Sequence, residues 1–123
     1  MQPPYELNEA KLEQHDSGLE IQIIERGKGP MAEPGQTVVA HYHGTLEDGS
    51  LFDSSFQRGQ PLEFPLGRQM VIQGWEEAFS KLPVGSKAIL RVPHQLAYGE
   101  RGYPGAIPPK ATLRFDVEFV DAK

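Results

Sequence analysis

No cysteine occurs among the 123 residues, which excludes thiol nucleophiles, disulfide frameworks and cysteine-based zinc sites. No apolar run approaches the roughly 18 residues that a membrane-spanning helix needs. Basic residues are few and scattered. Lys and Arg number 12 against 17 Asp and Glu, a net charge of −5, which argues against nucleic acid as a partner. The opening Met1-Gln2-Pro3-Pro4-Tyr5-Glu6 lacks the basic start and apolar stretch of a secretory signal. A cytoplasmic protein is the expectation, with a processed exported form as the alternative. The patterns G-x-S-x-G, G-K-[ST] and H-E-x-x-H are all missing, and neither Ser54 nor Ser55 has a base partner evident in the sequence. Nothing points to acid–base or nucleophilic chemistry.

What is present is punctuation. The 13 glycines and 11 prolines imply many short elements and many turns, which argues against a helical bundle. The length suits one domain. Residues 1–17 are acidic and poor in apolar side chains. They read as a solvated lead-in with a short helical turn near residues 9–13, or as an adaptor or dimerisation arm. From Leu19 a strand period begins, with Leu19, Ile21 and Ile23 alternating with Glu20 and Gln22. A second strand covers residues 37–43, with Val38, Ala40 and Tyr42 on one face and His41 and His43 on the other. Asp48-Gly49 marks a hairpin before a strand at residues 51–54. Residues 56–61 read as irregular and residues 62–65 as a short extended piece. Trp75, Ala78, Phe79 and Leu82 fall at i, i+3, i+4 and i+7, the apolar stripe of one short helix that Pro83 ends. Ala88, Leu90 and Val92 form another strand, and Leu113, Phe115, Val117 and Phe119 the last. Between them, residues 93–110 hold four prolines and three glycines, a loop long enough to suggest function. The fold class is α+β: an antiparallel sheet of about five strands with one amphipathic helix on its apolar face.

Two loose motifs fail on context. Gly27-Lys28-Gly29-Pro30-Met31-Ala32 fits G-x-G-x-x-A, but that pattern needs a following helix, and Glu33-Pro34-Gly35 follows instead. His41 and His43 share a strand face but lack a third metal ligand, so an ordinary polar face accounts for them. What remains is a wealth of aromatic and aliphatic side chains in turn-rich segments: Phe52-Asp53-Ser54-Ser55, Val71-Ile72-Gln73-Gly74-Trp75, and residues 97–109. On the residues alone these plug a core or line a ligand cleft, and both readings stay open.

These blocks, with Val39-Ala40-His41-Tyr42-His43-Gly44, Leu46-Glu47-Asp48-Gly49, Ala97-Tyr98-Gly99, Pro104-Gly105-Ala106-Ile107-Pro108-Pro109 and residues 111–118, resemble the FKBP-type peptidyl-prolyl cis–trans isomerases in order and spacing across residues 18–121. The resemblance implies a curled antiparallel sheet around a short helix, in a domain spanning residues 18–123. It implies a substrate pocket of Tyr42, Phe52, Leu62, Val71, Ile72, Trp75, Tyr103, Ile107 and Phe115, with Trp75 as the floor and Tyr42, Phe52 and Phe115 as walls. The Ile72 amide and the Tyr98 hydroxyl would meet substrate carbonyls. Asp53 and Tyr98 would be the catalytic residues, with Arg58 paired to Asp53. Leu62, Leu96, Tyr103 and Ala106 depart from the commoner family residues and alter the rim.

The implied activity is rotation about X-Pro peptide bonds, assisting protein folding. It requires no cofactor and no metal. The implied partners are proline-containing peptides, unfolded proteins and macrolides of the rapamycin type, met by a monomer with no affinity for nucleic acid or membrane. A non-catalytic module gripping proline segments or macrolides is the alternative function, and a purely structural docking domain is a third. Residues 80–85 are too short to hold the inserted chaperone domain of some family members.

Overall fold

The computed structural model describes residues 3–123. Seven strands form one antiparallel sheet: β1 (Glu13–Gln14), β2 (Glu20–Glu25), β3 (Thr37–Thr45), β4 (Leu51–Ser54), β5 (Leu62–Pro65), β6 (Lys87–Val92) and β7 (Leu113–Ala122). Their order is β1-β2-β6-β7-β3-β4, with β5 also paired to β3. The antiparallel α+β class is as expected, and the strand count is higher. Residues 62–65 pair with β3 as β5, and β1 is a two-residue strand too short to show a period.

Alternation decides which face is core. Leu113, Phe115, Val117 and Phe119 of β7 and Ala88, Leu90 and Val92 of β6 are all buried on one face. Helix α2 (Gln73–Lys81) lies against that face and buries Trp75, Ala78 and Phe79. Phe79 packs its ring on Phe64, Trp75 and Phe119 at centroid distances of 5.8, 5.5 and 5.1 Å. The first helical turn approaches β6 so closely that a Cβ on Gly74 would stand 2.6 Å from Val92 Cγ1. Gly74 is therefore a packing requirement at the point where the helix meets the sheet. Among the described residues, no helix is long and apolar enough to cross a membrane.

Three local expectations change. Residues 55–58 are not irregular but form one helical turn, α1 (Ser55–Arg58), stopped by Gly59 at φ 71°. A single turn is too short to show a period. The segment expected to be a solvated lead-in is exposed along most of its length but anchored at Tyr5, which is 4% exposed. The Tyr5 N–H donates to Asp116 Oδ2 at 2.7 Å, and Arg114 Nη2 donates to the Tyr5 carbonyl at 2.7 Å. This contact covers the opposite face of β7, where Asp116 is fully buried. The expected helical turn in that segment is a 3-10 turn at Glu9–Lys11. The Gly27–Ala32 stretch opens no helix, as its context required, but it is an irregular segment rather than a turn, bending at Gly29 and bridging Met31 to Pro83. Gly27 N–H donates to Ser86 Oγ, and a Cβ there would stand 2.1 Å from the Val84 carbonyl oxygen.

Candidate active site

A cavity of about 260 Å³ opens between the sheet and the start of α2. Strand β3 contributes Tyr42, β4 contributes Phe52 and Asp53, and β5 contributes Leu62. The connection leading into α2 contributes Met70, Val71 and Ile72, the helix contributes Trp75, the loop after β6 contributes Tyr98, and β7 contributes Phe115. Nine of the expected site residues thus share one cavity, and three of them, Tyr42, Trp75 and Phe115, also belong to the buried core.

Aromatic packing makes the deep part rigid. The Trp75 ring meets Tyr42, Phe115 and Phe64 at centroid distances of 5.0, 5.3 and 5.9 Å, and the first two contacts are edge-to-face. Phe52 meets Phe115 edge-on at 5.6 Å. Trp75 is 4% exposed, and its buried indole N–H has no hydrogen-bond partner among the described residues. Gly44 lies behind the wall, and a Cβ there would stand 2.7 Å from Phe52 Cζ and 3.1 Å from Phe115 Cε1. The rim is open, with Tyr98 39% and Met70 69% exposed.

One polar cluster interrupts the apolar lining. The Tyr42 hydroxyl donates to Asp53 Oδ2. Arg58 donates from Nη1 to Asp53 Oδ1 at 2.5 Å and from Nη2 to the Tyr42 hydroxyl oxygen at 2.9 Å. The Ser54 N–H also donates to Asp53 Oδ1, at 2.9 Å. Burial alone would push the Asp53 carboxyl up. The hydrogen bonds from Tyr42 and Arg58, the guanidinium charge and the Ser54 amide together outweigh it and hold the group below the usual carboxylate range. Asp53 is therefore a fixed anion at neutral pH, with one lone pair of Oδ2 still free. Burial, followed by the Asp53 acceptor, pushes the Tyr42 hydroxyl up. Burial, followed by the charges of Asp53 and Tyr103, pushes up Tyr98. Both phenols stay protonated donors at neutral pH.

Two donors on residues that line this space are unused. The Tyr98 hydroxyl and the Ile72 N–H have no hydrogen-bond partner among the described residues. The Ile72 carbonyl, by contrast, caps α2 by accepting from the Trp75 and Glu76 amides at 3.0 and 3.2 Å.

Two expected substrate-binding residues do not line the cavity. Ile107 is 5% exposed and turned into the core, exchanging both backbone hydrogen bonds with Tyr103 at 2.8 Å. Tyr103 is 59% exposed and stands outside, its ring edge-on to Tyr98 at 5.9 Å. Both brace the loop that carries Tyr98. Met70 lines the cavity and was not singled out in the sequence. The available signal was an apolar residue directly before Val71-Ile72 in a turn-rich stretch. Leu96 lies in a separate open groove beside α2.

The structure also supplies Ser55 with the base partner that the sequence does not reveal. His41 Nδ1 stands 2.9 Å from Ser55 Oγ, and the imidazole stacks on Phe56 at 4.7 Å. Ser55 is fully buried, however, and its hydroxyl accepts from the Tyr42 N–H at 2.7 Å. The pair ties α1 to β3 and cannot reach a substrate.

Comparison with known proteins agrees with this geometry. The family model described as FKBP-type peptidyl-prolyl cis-trans isomerase matches residues 29–120. FK506-binding protein 1 of Debaryomyces hansenii is 48% identical over 103 residues, covering 83% of this chain and 92% of its own length. Peptidyl-prolyl cis-trans isomerase FPR2 of Saccharomyces cerevisiae is 51% identical over 112 residues, covering 87% of this chain and 83% of its own. Among solved structures, AtFKBP13 aligns with a TM-score of 0.87 at 39% identity over 91% of this chain and 98% of that one. FkpA from Escherichia coli aligns with a TM-score of 0.87 at 46% identity, over 94% of this chain and 53% of that one. With family match, relatives and fold in agreement over most of its length, the chain belongs to the FKBP-type peptidyl-prolyl cis–trans isomerases.

Proposed function

We propose that the aromatic cavity above Trp75 takes the prolyl ring of an X-Pro segment in a peptide or unfolded chain and catalyses rotation about its imide bond. That rotation faces a barrier of about 18–20 kcal/mol because it destroys amide resonance. No covalent bond is made or broken. Catalysis therefore reduces to binding the twisted imide better than the planar one, with about 1.4 kcal/mol needed for each tenfold acceleration.

The chain's own groups can supply this in two ways. The planar imide is more charge-separated than the twisted one, so an apolar lining of Phe52, Trp75 and Phe115 disfavours the ground state relative to water. Fixed donors meet the carbonyls that move: we assign Ile72 N–H and the Tyr98 hydroxyl to orient the substrate. Asp53, held by Tyr42 and Arg58, tunes the field at the rotating carbonyl. Met70 forms the outer rim. The observation that carries the reading is the combination of a rigid apolar cavity with two uncommitted donors at its edge. The same cavity suits the macrolide FK506 that relatives are named for binding.

The test is exchange of a short X-Pro peptide followed by NMR, with and without FK506. The expected result is acceleration that FK506 suppresses, with a change in emission from Trp75, the sole tryptophan. Exchange no faster than the uncatalysed tens to hundreds of seconds would overturn it.

A further inference from the structure

The connection from β5 to α2 carries Met70, Val71 and Ile72 into the cavity; Val71 and Ile72 pack against the core, but few hydrogen bonds hold the segment. Leu66 is buried, donates to the Gln36 carbonyl at 2.9 Å and anchors one end. At the other end the Ile72 carbonyl caps the helix. Between them, among the described residues, the hydrogen bonds of residues 67–71 go to one group. Gly67 N–H donates to Glu76 Oε1 at 2.7 Å, and Gln69 N–H donates to Glu76 Oε2 at 2.9 Å. Gly67 and Gln69 both have positive φ, 85° and 56°. The second is a conformation that a non-glycine residue rarely adopts. A left-handed turn that points alternate N–H groups inward forms a natural anion cradle. Here the anion is a side chain of the first turn of α2, next to Trp75.

We propose that Glu76 is a positioning residue for the isomerase reaction: its carboxylate clamps the Gly67–Gln69 turn and so sets the pose of the Ile72 N–H. This rests on the assignment of Ile72 as a substrate donor. Both carboxylate oxygens are used. Glu76→Gln replaces one acceptor by a donor facing a backbone N–H, and Glu76→Asp keeps both acceptors on a shorter stem. The adjacent Glu77 has the same charge but bonds to Lys81 and Ser17, away from the turn. Glu77→Gln is therefore the matched control.

The experiment measures kcat and KM for an X-Pro peptide, the Ile72 amide resonance with and without peptide, and thermal stability. Glu76→Ala is expected to lower kcat about tenfold with little change in KM, since a charged hydrogen-bonding clamp is lost while the apolar cavity remains. Glu76→Gln should fall close to alanine, Glu76→Asp should recover most of the loss, and Glu77→Gln should match the wild type. A Glu76→Ala protein that is folded and keeps wild-type kcat overturns the proposal, even if its melting temperature drops. If alanine fails to fold, a Gln variant with wild-type kcat overturns it in the same way. Wild-type turnover and a peptide-responsive Ile72 amide, beside unaffected Glu76 variants, would refute the clamp alone. An Ile72 amide that ignores peptide would refute the donor assignment and the clamp with it.

Discussion

Tyr98→Phe separates function from stability with one atom. The Tyr98 hydroxyl has no hydrogen-bond partner among the described residues, and the residue is 39% exposed. Deleting the oxygen therefore leaves no buried group stranded, and the ring keeps its edge contact with Tyr103 at 5.9 Å. The stability change should lie within about 0.5 kcal/mol. If the hydroxyl donates to a substrate carbonyl as the imide twists, its loss removes a neutral hydrogen bond worth about 0.5–1.5 kcal/mol. At 1.36 kcal/mol per decade, kcat/KM should fall about 2- to 13-fold. Urea denaturation and peptide exchange on the same samples read the two quantities. Because burial and neighbouring charge hold the phenol above its ordinary value of about 10, the ratio of wild type to variant should stay flat through neutral and mildly alkaline pH. Unchanged kcat/KM would remove Tyr98 from the mechanism. A stability loss well above 1 kcal/mol would show that the hydroxyl has an internal partner and refute the reasoning at its root.

The Asp53 cluster allows a ranking of its two partners. The Arg58–Asp53 pair is 49% and 43% exposed, so Arg58→Ala should cost no more than about 1 kcal/mol, whereas Tyr42→Phe removes a donor to a fixed carboxylate and should cost about 1.5–3 kcal/mol. Equal costs in urea melts would contradict the ranking. Since the folded-state pKa of Asp53 lies below its ordinary value, its contribution is present above about pH 4 and disappears as pH falls through the lowered value. The stability gap between wild type and Asp53→Asn should close on acidification, and a gap that widens would show the opposite shift. Gly44→Ala should loosen ligand binding more than it perturbs the outer strands, because its Cβ would press on Phe52 and Phe115 behind the cavity wall. Wild-type FK506 affinity in a folded Gly44→Ala protein would count against that wall.

Local periodicity was enough for the framework. The i, i+3, i+4, i+7 stripe from Trp75 placed α2, and strict alternation from Leu113 placed β7, because each pattern is a statement about one face of one element. The ordered blocks from Val39 to Glu118 carried the family and nine of the cavity residues. The same sequence was silent on contacts between distant segments. Nothing local ties Tyr5 to Asp116, 111 positions away, and a two-residue strand has no period to read. Nor does residue type say that Ile107 turns inward while Met70 faces the cavity, or that Arg58 closes on Tyr42 across 16 positions. Side-chain patterning records whether a face is wet or dry. Which dry faces meet, and which carboxylate reaches which backbone amide, is decided only when the sheet closes around α2 and loop closure brings remote residues within hydrogen-bond distance.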